Sequence, residues 1–414
     1  MALGVALIVI VLLIHNVVSR SFGDAAQGYH LIVGARGGKL QLVLNTVFHL
    51  SQPIENLPYS FYKEFTEYSK GGRKVRGKYA AAVEVAVPYC LGDSYQEFRV
   101  VGTTPDLFNK ISYGAHHDGT LKMYRFAEGR NFEQKEDNGA VIGAIAARRA
   151  GLKLDDQFPI THGLADDENA HVHAKDLFTV VGILEPTGTP NDRALFVNME
   201  GFYKISGHAL VREDLTDNDQ PAQPGARLSE DQREVTSILL LLKDDAYSMR
   251  LEREINKGRI AQAVFPSREV TKLFEGVVGY VKTILLILAI CVVIVAGIGV
   301  MVSIYNSMSD RSREIGVMRA LGAGRSTVMI VVLLESILLS LLGGIAGVLI
   351  GHGAMAVLAP VVFNLTGVTV RALQFDLAEL ILIPGLIVLA TLAGYLPALT
   401  AYRTDVAEAL STAQ

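Results

Sequence analysis

The chain has 414 residues, half of them hydrophobic and only 19% charged, and its mean hydropathy is positive. Soluble domains of this size are richer in charge, so membrane segments are expected. The net charge of −4, with no arginine-rich arm and no aromatic–basic stripe, argues against a nucleic-acid partner.

Ala2–Val18 is an apolar run broken only by His15 and Asn16 near its end. As a helix it spans about 25 Å, a little less than a hydrocarbon core of about 30 Å. A signal peptide is the competing reading, but the run has neither a basic n-region nor a small-x-small cleavage site. Residues 1–18 are therefore read as a first transmembrane helix, and the missing basic flank suggests a late start codon or a trimmed amino terminus. Residues 19–276 have the composition of a folded α+β domain. Ala81–Val87, Phe98–Val101, Ala140–Ile142, Phe178–Ile183 and Ser237–Leu242 read as strands, and Tyr59–Tyr68, Gly143–Gly151 and Ala246–Ile260 as helices. Asp214–Asp231 reads as a loop. Strands and helices in this mixed order predict two lobes.

Three more apolar segments follow: Thr283–Tyr305 after Lys282, Val328–Ile350 with Glu335 inside it, and Leu380–Ala401 with Pro384 and Pro397. They predict a second span with its stalk at 277–306, a third at 326–352 and a fourth at 378–401. A short outer loop at 353–377 and a tail at 402–414 complete the plan. The connector at 309–325 carries Arg311, Arg313, Arg319 and Arg325 against Asp310 and Glu314. The positive-inside rule places it in the cytoplasm, so with four spans both termini lie there and the 19–276 domain lies outside. Ile315, Met318 and Leu321 recur every third position and are read as one helical face. Asp310 and Glu314 complement the dipole of the first turn, while Gly322 and Gly324 supply a stop.

Catalytic patterns do not emerge. Gly322–Thr327 has a passing likeness to the end of a Walker A loop but lacks its lysine and the preceding strand, and no nucleophile elbow, zinc-protease helix or CxxC pair occurs. Glu335, an acid well inside a span, is expected to hydrogen-bond Ser336, Ser340 or another polar group rather than to relay protons. Gly343, Gly347 and Gly351 recur at four-residue spacing, which suits close packing either within the chain or between two copies. Cys90 and Cys291 fall in different environments and are read as buried free thiols. His162, Asp166, Asp167, His171 and His173 are the candidate metal ligands, although Thr161–Lys175 reads more simply as a solvated loop with incidental histidines.

Ser312-Arg-Glu-Ile-Gly-Val-Met-Arg-Ala-Leu-Gly-Ala323, the span bearing Glu335 and Leu341-Leu-Gly-Gly-Ile-Ala-Gly347 together resemble the MacB/FtsX-like family of ABC transporter permeases. Residues 401–410 resemble the family's closing segment but have Val406 where proline is common. Val101–Phe108, Glu128–Phe132, Ala140–Gly143 and Phe178–Asp192 are similar to its periplasmic core domain, and the family's basic segment before the first span is absent. The resemblance implies a four-span permease of a bacterial inner membrane that dimerises, as a homodimer or with a related chain, and docks a pair of cytoplasmic ATPase subunits. ATP and Mg2+ would then bind those partners, with no cofactor on this chain. Arg311, Arg313, Glu314, Ile315, Gly316, Met318, Arg319 and Leu321 would form the coupling helix. Export or extraction of an amphiphile, peptide, drug or lipoprotein, with or without a periplasmic adaptor, is the leading expectation. Control of a periplasmic hydrolase or sensor is the alternative, and zinc handling, motivated by the histidines, the lesser one.

Overall fold

The computed structural model describes residues 1–25, 27–53, 55–116, 118–162, 171–205, 229–366, 370, 373, 375 and 377–403. The chain divides into two compact units, one built on Ser19–Phe274 and the other on Met1–Val18, Glu275–Phe363 and residues beyond. Helix α1 (Ala2–Ala25) continues past the expected end of the first span.

In the Ser19–Phe274 unit, ten strands form one mixed sheet. They are β1 (Leu31–Ala35), β4 (Val83–Tyr95), β5 (Phe98–Thr103), β6 (Phe126–Gly129), β7 (Gly139–Ile142), β8 (Gln157–His162), β9 (His171–Leu184), β10 (Ala194–Asn198), β11 (Ser237–Leu242) and β12 (Ala261–Val264), while β2 (Glu67–Lys70) and β3 (Arg73–Arg76) form a separate ribbon. The sheet order is β8-β9-β7-β10-β5-β4-β11-β1-β12, with β6 on β9. The β7–β9 and β10–β5 pairs are parallel. Strands buried on both faces lose the polar alternation of a half-exposed strand, and β7, β10 and β5 are apolar or small at nearly every position and buried throughout.

Where two lobes are expected, the structure has a continuous sheet, because β4 belongs to both halves. Residues from Val83 to Tyr89 pair with β11 and those from Cys90 to Tyr95 with β5. The switch falls at Gly92, whose φ of 155° accompanies a register shift between Leu91 and Asp93; a bulge there bends the strand from one partner to the next. Phe98, Phe158, Phe178 and Phe196 are fully buried around this seam, each worth about 1.5–3 kcal/mol of burial.

Two local expectations are corrected. Only Tyr59–Lys63 of the expected Tyr59–Tyr68 helix is helical. Beyond it the carbonyls of Glu64 and Thr66 accept from the Tyr79 and Gly77 amides, so pairing with a distant segment displaces helix propagation. The expected Thr161–Lys175 loop begins and ends in strand, with Thr161 opposite Val172 and His162 opposite His171. Helices α2 (Lys39–Phe48), α3 (Ala144–Ala150), α4 (Ser248–Lys257) and α5 (Pro266–Leu273) are among the other described elements of this unit.

Among the described residues, four helical segments are long and apolar enough to cross a membrane, the form in which a lipid-exposed backbone satisfies its own polar groups. After α1 these are α6 (Gly279–Asp310), α8 (Arg325–Thr366) and α10 (Leu382–Arg403), with the short α7 (Ser312–Ala320) between α6 and α8 and α9 (Leu377–Leu380) before α10. The backbone leaves helical geometry at Gly276, with ψ at −111°, which separates α5 from α6. Helix α8 has 42 residues and passes through Pro360, so the expected loop at 353–377 begins instead with more than three turns of helix. Ala354–Ala359 contains good helix formers and continues the apolar run.

The glycine stripe of α8 faces α1. A Cβ on Gly343 would lie 2.8 Å from the Met1 Cβ, one on Gly347 2.5 Å from the Ala2 carbonyl oxygen, and one on Gly351 2.8 Å from the Val9 side chain. Small residues allow this approach of two backbones, and it occupies the stripe within the chain.

Candidate coupling site

The connector between α6 and α8 starts where α6 ends. Arg311 sits at φ −91° and ψ 2°, outside helical geometry, and α7 begins at Ser312 with Glu314 in its first turn. Asp310 therefore belongs to α6. At the other end the Gly322 amide donates to the Arg319 carbonyl and the Ala323 amide to that of Met318. This pair of bonds is a Schellman stop, and Gly322 supplies its left-handed residue at φ 104°.

Helix α7 has an inward and an outward face, and they differ from the expected ones. Ile315 is 4% exposed and packs with Ile304 of α6, Val328 and Val332 of α8, and Ala398 and Ala401 of α10. Met318 and Leu321 are 40% and 84% exposed. Three-residue spacing falls short of a turn by about 60° per step, so Leu321 has rotated well away from Ile315. Four-residue logic gives the observed surface: Glu314, Val317, Met318 and Leu321 follow i, i+3, i+4, i+7 and are all exposed. Arg313 is exposed beside them, Gly316 is buried with Ile315, and Arg319 is half-buried.

Arg311 does not point to a free surface. Its Nη1 donates to both carboxylate oxygens of Glu335, at 2.9 and 3.1 Å. Glu335 thus pairs with the connector rather than with Ser336 or Ser340, whose hydroxyls are buried and unpartnered; Ser336 instead lies where a Cβ on Gly394 of α10 would touch it. Exposed ion pairs contribute at most about 1 kcal/mol to stability. The pair's importance is geometric, since together with Ile315 it fixes α7 to three membrane helices at two points. At the start of α8, the Arg325 guanidinium lies 6.0 Å from the Tyr402 ring of α10.

A second buried polar pair escaped the sequence reading. His352 of α8 and Glu379 of α9 meet at 3.0 Å, both almost completely buried, with the Phe375 ring against His352 at 4.6 Å. A lone histidine at the end of an apolar run was the available signal.

Of the metal candidates, His162 is the one whose side chain is described. Asp166 and Asp167 lie outside the described residues, His171 and His173 are placed only by their backbone in β9, and no group of three His, Cys, Asp or Glu able to hold a metal occurs among the described residues. His162 Nδ1 meets Asp93 Oδ1 at 3.0 Å, and that bond raises the imidazole above its ordinary value against an opposing effect of burial. A raised pKa means the pair stabilises the domain fully below about pH 6.5, and the benefit fades as pH rises through the folded value. The melting temperature of His162→Ala should therefore lie furthest below that of the parent at pH 5.5 and approach it by pH 8.5. An equal gap at both pH values would refute the pairing. Of the thiols, Cys90 is buried, and burial pushes it up to about 12; Cys291, expected to be buried, is exposed on α6.

Known proteins share both units. The family model for the MacB-like periplasmic core domain matches residues 1–257, and that for the FtsX-like permease C-terminal matches residues 286–406. The macrolide export ATP-binding/permease protein MacB of Azoarcus sp. (strain BH72) is 29% identical over 245 residues, 57% of this chain and 33% of that protein. Its namesake in Nitrobacter winogradskyi is 27% identical over 300 residues, 70% of this chain and 42% of the relative. An uncharacterized ABC transporter permease of Bacillus subtilis, YknZ, is 32% identical over 118 residues, 28% of this chain and 26% of the relative. The chain thus spans well under half the length of each of these relatives.

Proposed function

Because the chain belongs to the family of FtsX-like ABC transporter permeases with a MacB-like periplasmic core domain, we propose that it is a permease component that turns ATP hydrolysis into movement of its Ser19–Phe274 domain. ATP is hydrolysed on a separate ATP-binding cassette subunit, which docks on Glu314, Val317, Met318 and Leu321 from the cytoplasm. The folded domain works on the opposite side of a bacterial inner membrane, and two permease copies face two ATPases.

The two-point attachment of α7 carries this reading. A load applied to the outward face of α7 cannot be absorbed by a slack loop, because Ile315 is held among side chains of α6, α8 and α10 and Arg311 is held by Glu335 of α8. Helix α6 has 32 residues, a rod of about 48 Å, long enough to pass displacement across a bilayer. The spans need not open a polar pore. Close contacts between them include Gly297 against Leu389 and Gly344 against Leu386. Movement outside the membrane, rather than passage between the helices, fits such packing.

The relatives named as macrolide exporters make an amphiphilic substrate of that kind the first cargo to try. The test is to purify the full chain with its ATPase in lipid nanodiscs and measure turnover with macrolides, peptides and lipoproteins added in turn. Stimulation by one such cargo supports transport. Stimulation only by a periplasmic hydrolase or sensor protein would move the reading to transmembrane signalling.

A further inference from the structure

The ribbon β2–β3 is a strongly basic surface of the Ser19–Phe274 unit. Residues 67–78 carry Lys70, Arg73, Lys74, Arg76 and Lys78 against the single acid Glu67, in a chain whose net charge is −4. All five cations are exposed. Lys78 is engaged by the Tyr79 hydroxyl at 2.7 Å, and Arg76 reaches Glu67 only at 4.0 Å. Lys70, Arg73 and Lys74 make no ion pair among the described residues.

The arrangement works against the hairpin it sits on. Lys70 stands directly opposite Arg73, next to a two-glycine turn whose residues both take positive φ. Like charges facing each other across a ribbon are destabilising. A charge or two suffices to keep a strand edge from aggregating, so edge protection does not explain four cations clustered from Lys70 to Arg76. The ribbon is nevertheless held firmly at its base. Phe65 stacks on Tyr79 at 5.2 Å, Lys63 lies 4.2 Å from the Tyr68 ring, and the Gly77 amide donates to the Thr66 carbonyl.

We propose that this ribbon is a docking surface for a protein segment rich in aspartate and glutamate. Guanidinium groups match carboxylates in paired hydrogen bonds, and β2 and β3 each keep one edge unpaired in their two-stranded sheet, open to an extended peptide. A lipid surface fits less well. Membrane-surface binders combine basic with apolar side chains, and no large hydrophobic side chain on the ribbon is exposed.

The experiment uses the full chain in nanodiscs of neutral lipid and a fluorescein-labelled oligoglutamate peptide as probe, read by anisotropy at low and high salt. Arg73→Glu/Lys74→Glu is compared with Arg250→Glu/Lys257→Glu, an equal charge change on the exposed face of α4. Melting curves check that both variants fold, and Arg73→Gln/Lys74→Gln provides a milder version. The proposal predicts salt-sensitive binding that weakens about tenfold or more in the ribbon variants and stays near the parent value in the α4 variant. Absence of binding, or equal loss in both reversals, overturns it. So does ribbon-dependent binding to phosphatidylglycerol vesicles without binding to the peptide, which would assign the surface to a membrane.

Discussion

Met318→Asp/Leu321→Asp should leave the chain inserted and folded but unable to retain its ATPase. Both side chains project from the outer face of α7, with exposures of 40% and 84%, so carboxylates there remain hydrated and cost the isolated chain little. Against a partner's apolar pocket they would be desolvated without a counter-charge. Truncation or reversal of central interface anchors costs about 2 kcal/mol or more, which corresponds to roughly a thirtyfold loss of affinity. Co-purification of the ATPase with the tagged chain measures it directly. Undiminished recovery of the ATPase would remove the docking face from these residues.

Ile315→Asp has a larger and different effect. Ile315 fills a space between aliphatic side chains of α6, α8 and α10. A buried charge introduced among these aliphatic side chains, with Arg311 already committed to Glu335, costs about 3–5 kcal/mol, a sizeable share of the stability of an ordinary domain. The variant should run as an aggregated or dispersed species on size-exclusion chromatography in mild detergent, whereas Ile315→Val, at about 1 kcal/mol, should behave as the parent. A monodisperse Ile315→Asp chain that merely loses its ATPase would return Ile315 to the docking surface.

The contrast between these two residues marks where sequence reasoning reaches its limit. The connector stood out by its charge between two apolar runs, and its boundaries were set by recognisable signals, Glu314 in the first turn and Gly322 at the stop. Its orientation was not legible. A nine-residue helix flanked by long membrane helices is positioned by what it packs on, and the period of its own apolar residues was too short a record to separate Ile315 from Leu321. The Arg311–Glu335 pair was equally hidden. In the sequence one is a basic residue of the connector and the other an acid inside a span, with 24 positions between them, and the chain reversal at Gly322 brings them together.

The same logic holds elsewhere. Ser237–Leu242 was read as a strand with its observed limits because an apolar run between polar flanks has one stable use at that length. The sequence predicts a strand over Ala81–Val87 where the structure has Val83–Tyr95, because the second half contains Pro88, Gly92 and Asp93 and pairs with a different neighbour. The glycine stripe of α8 announced a close contact without naming the partner, and α1 proved to be it.

In the proposed mechanism the connector drives the membrane helices through Arg311 and Glu335. The direct measurement is a charge-swap cycle on permease-dependent ATP turnover, using Arg311→Glu, Glu335→Arg and the double variant, each co-purified with the ATPase in nanodiscs. Each single reversal sets two like charges against each other and should lower turnover about fivefold or more, with ATPase still bound through the outer face of α7. The double variant restores an opposite-charge pair and should recover most of the activity. Single variants that turn over like the parent, or a double variant no better than either single, would contradict the account.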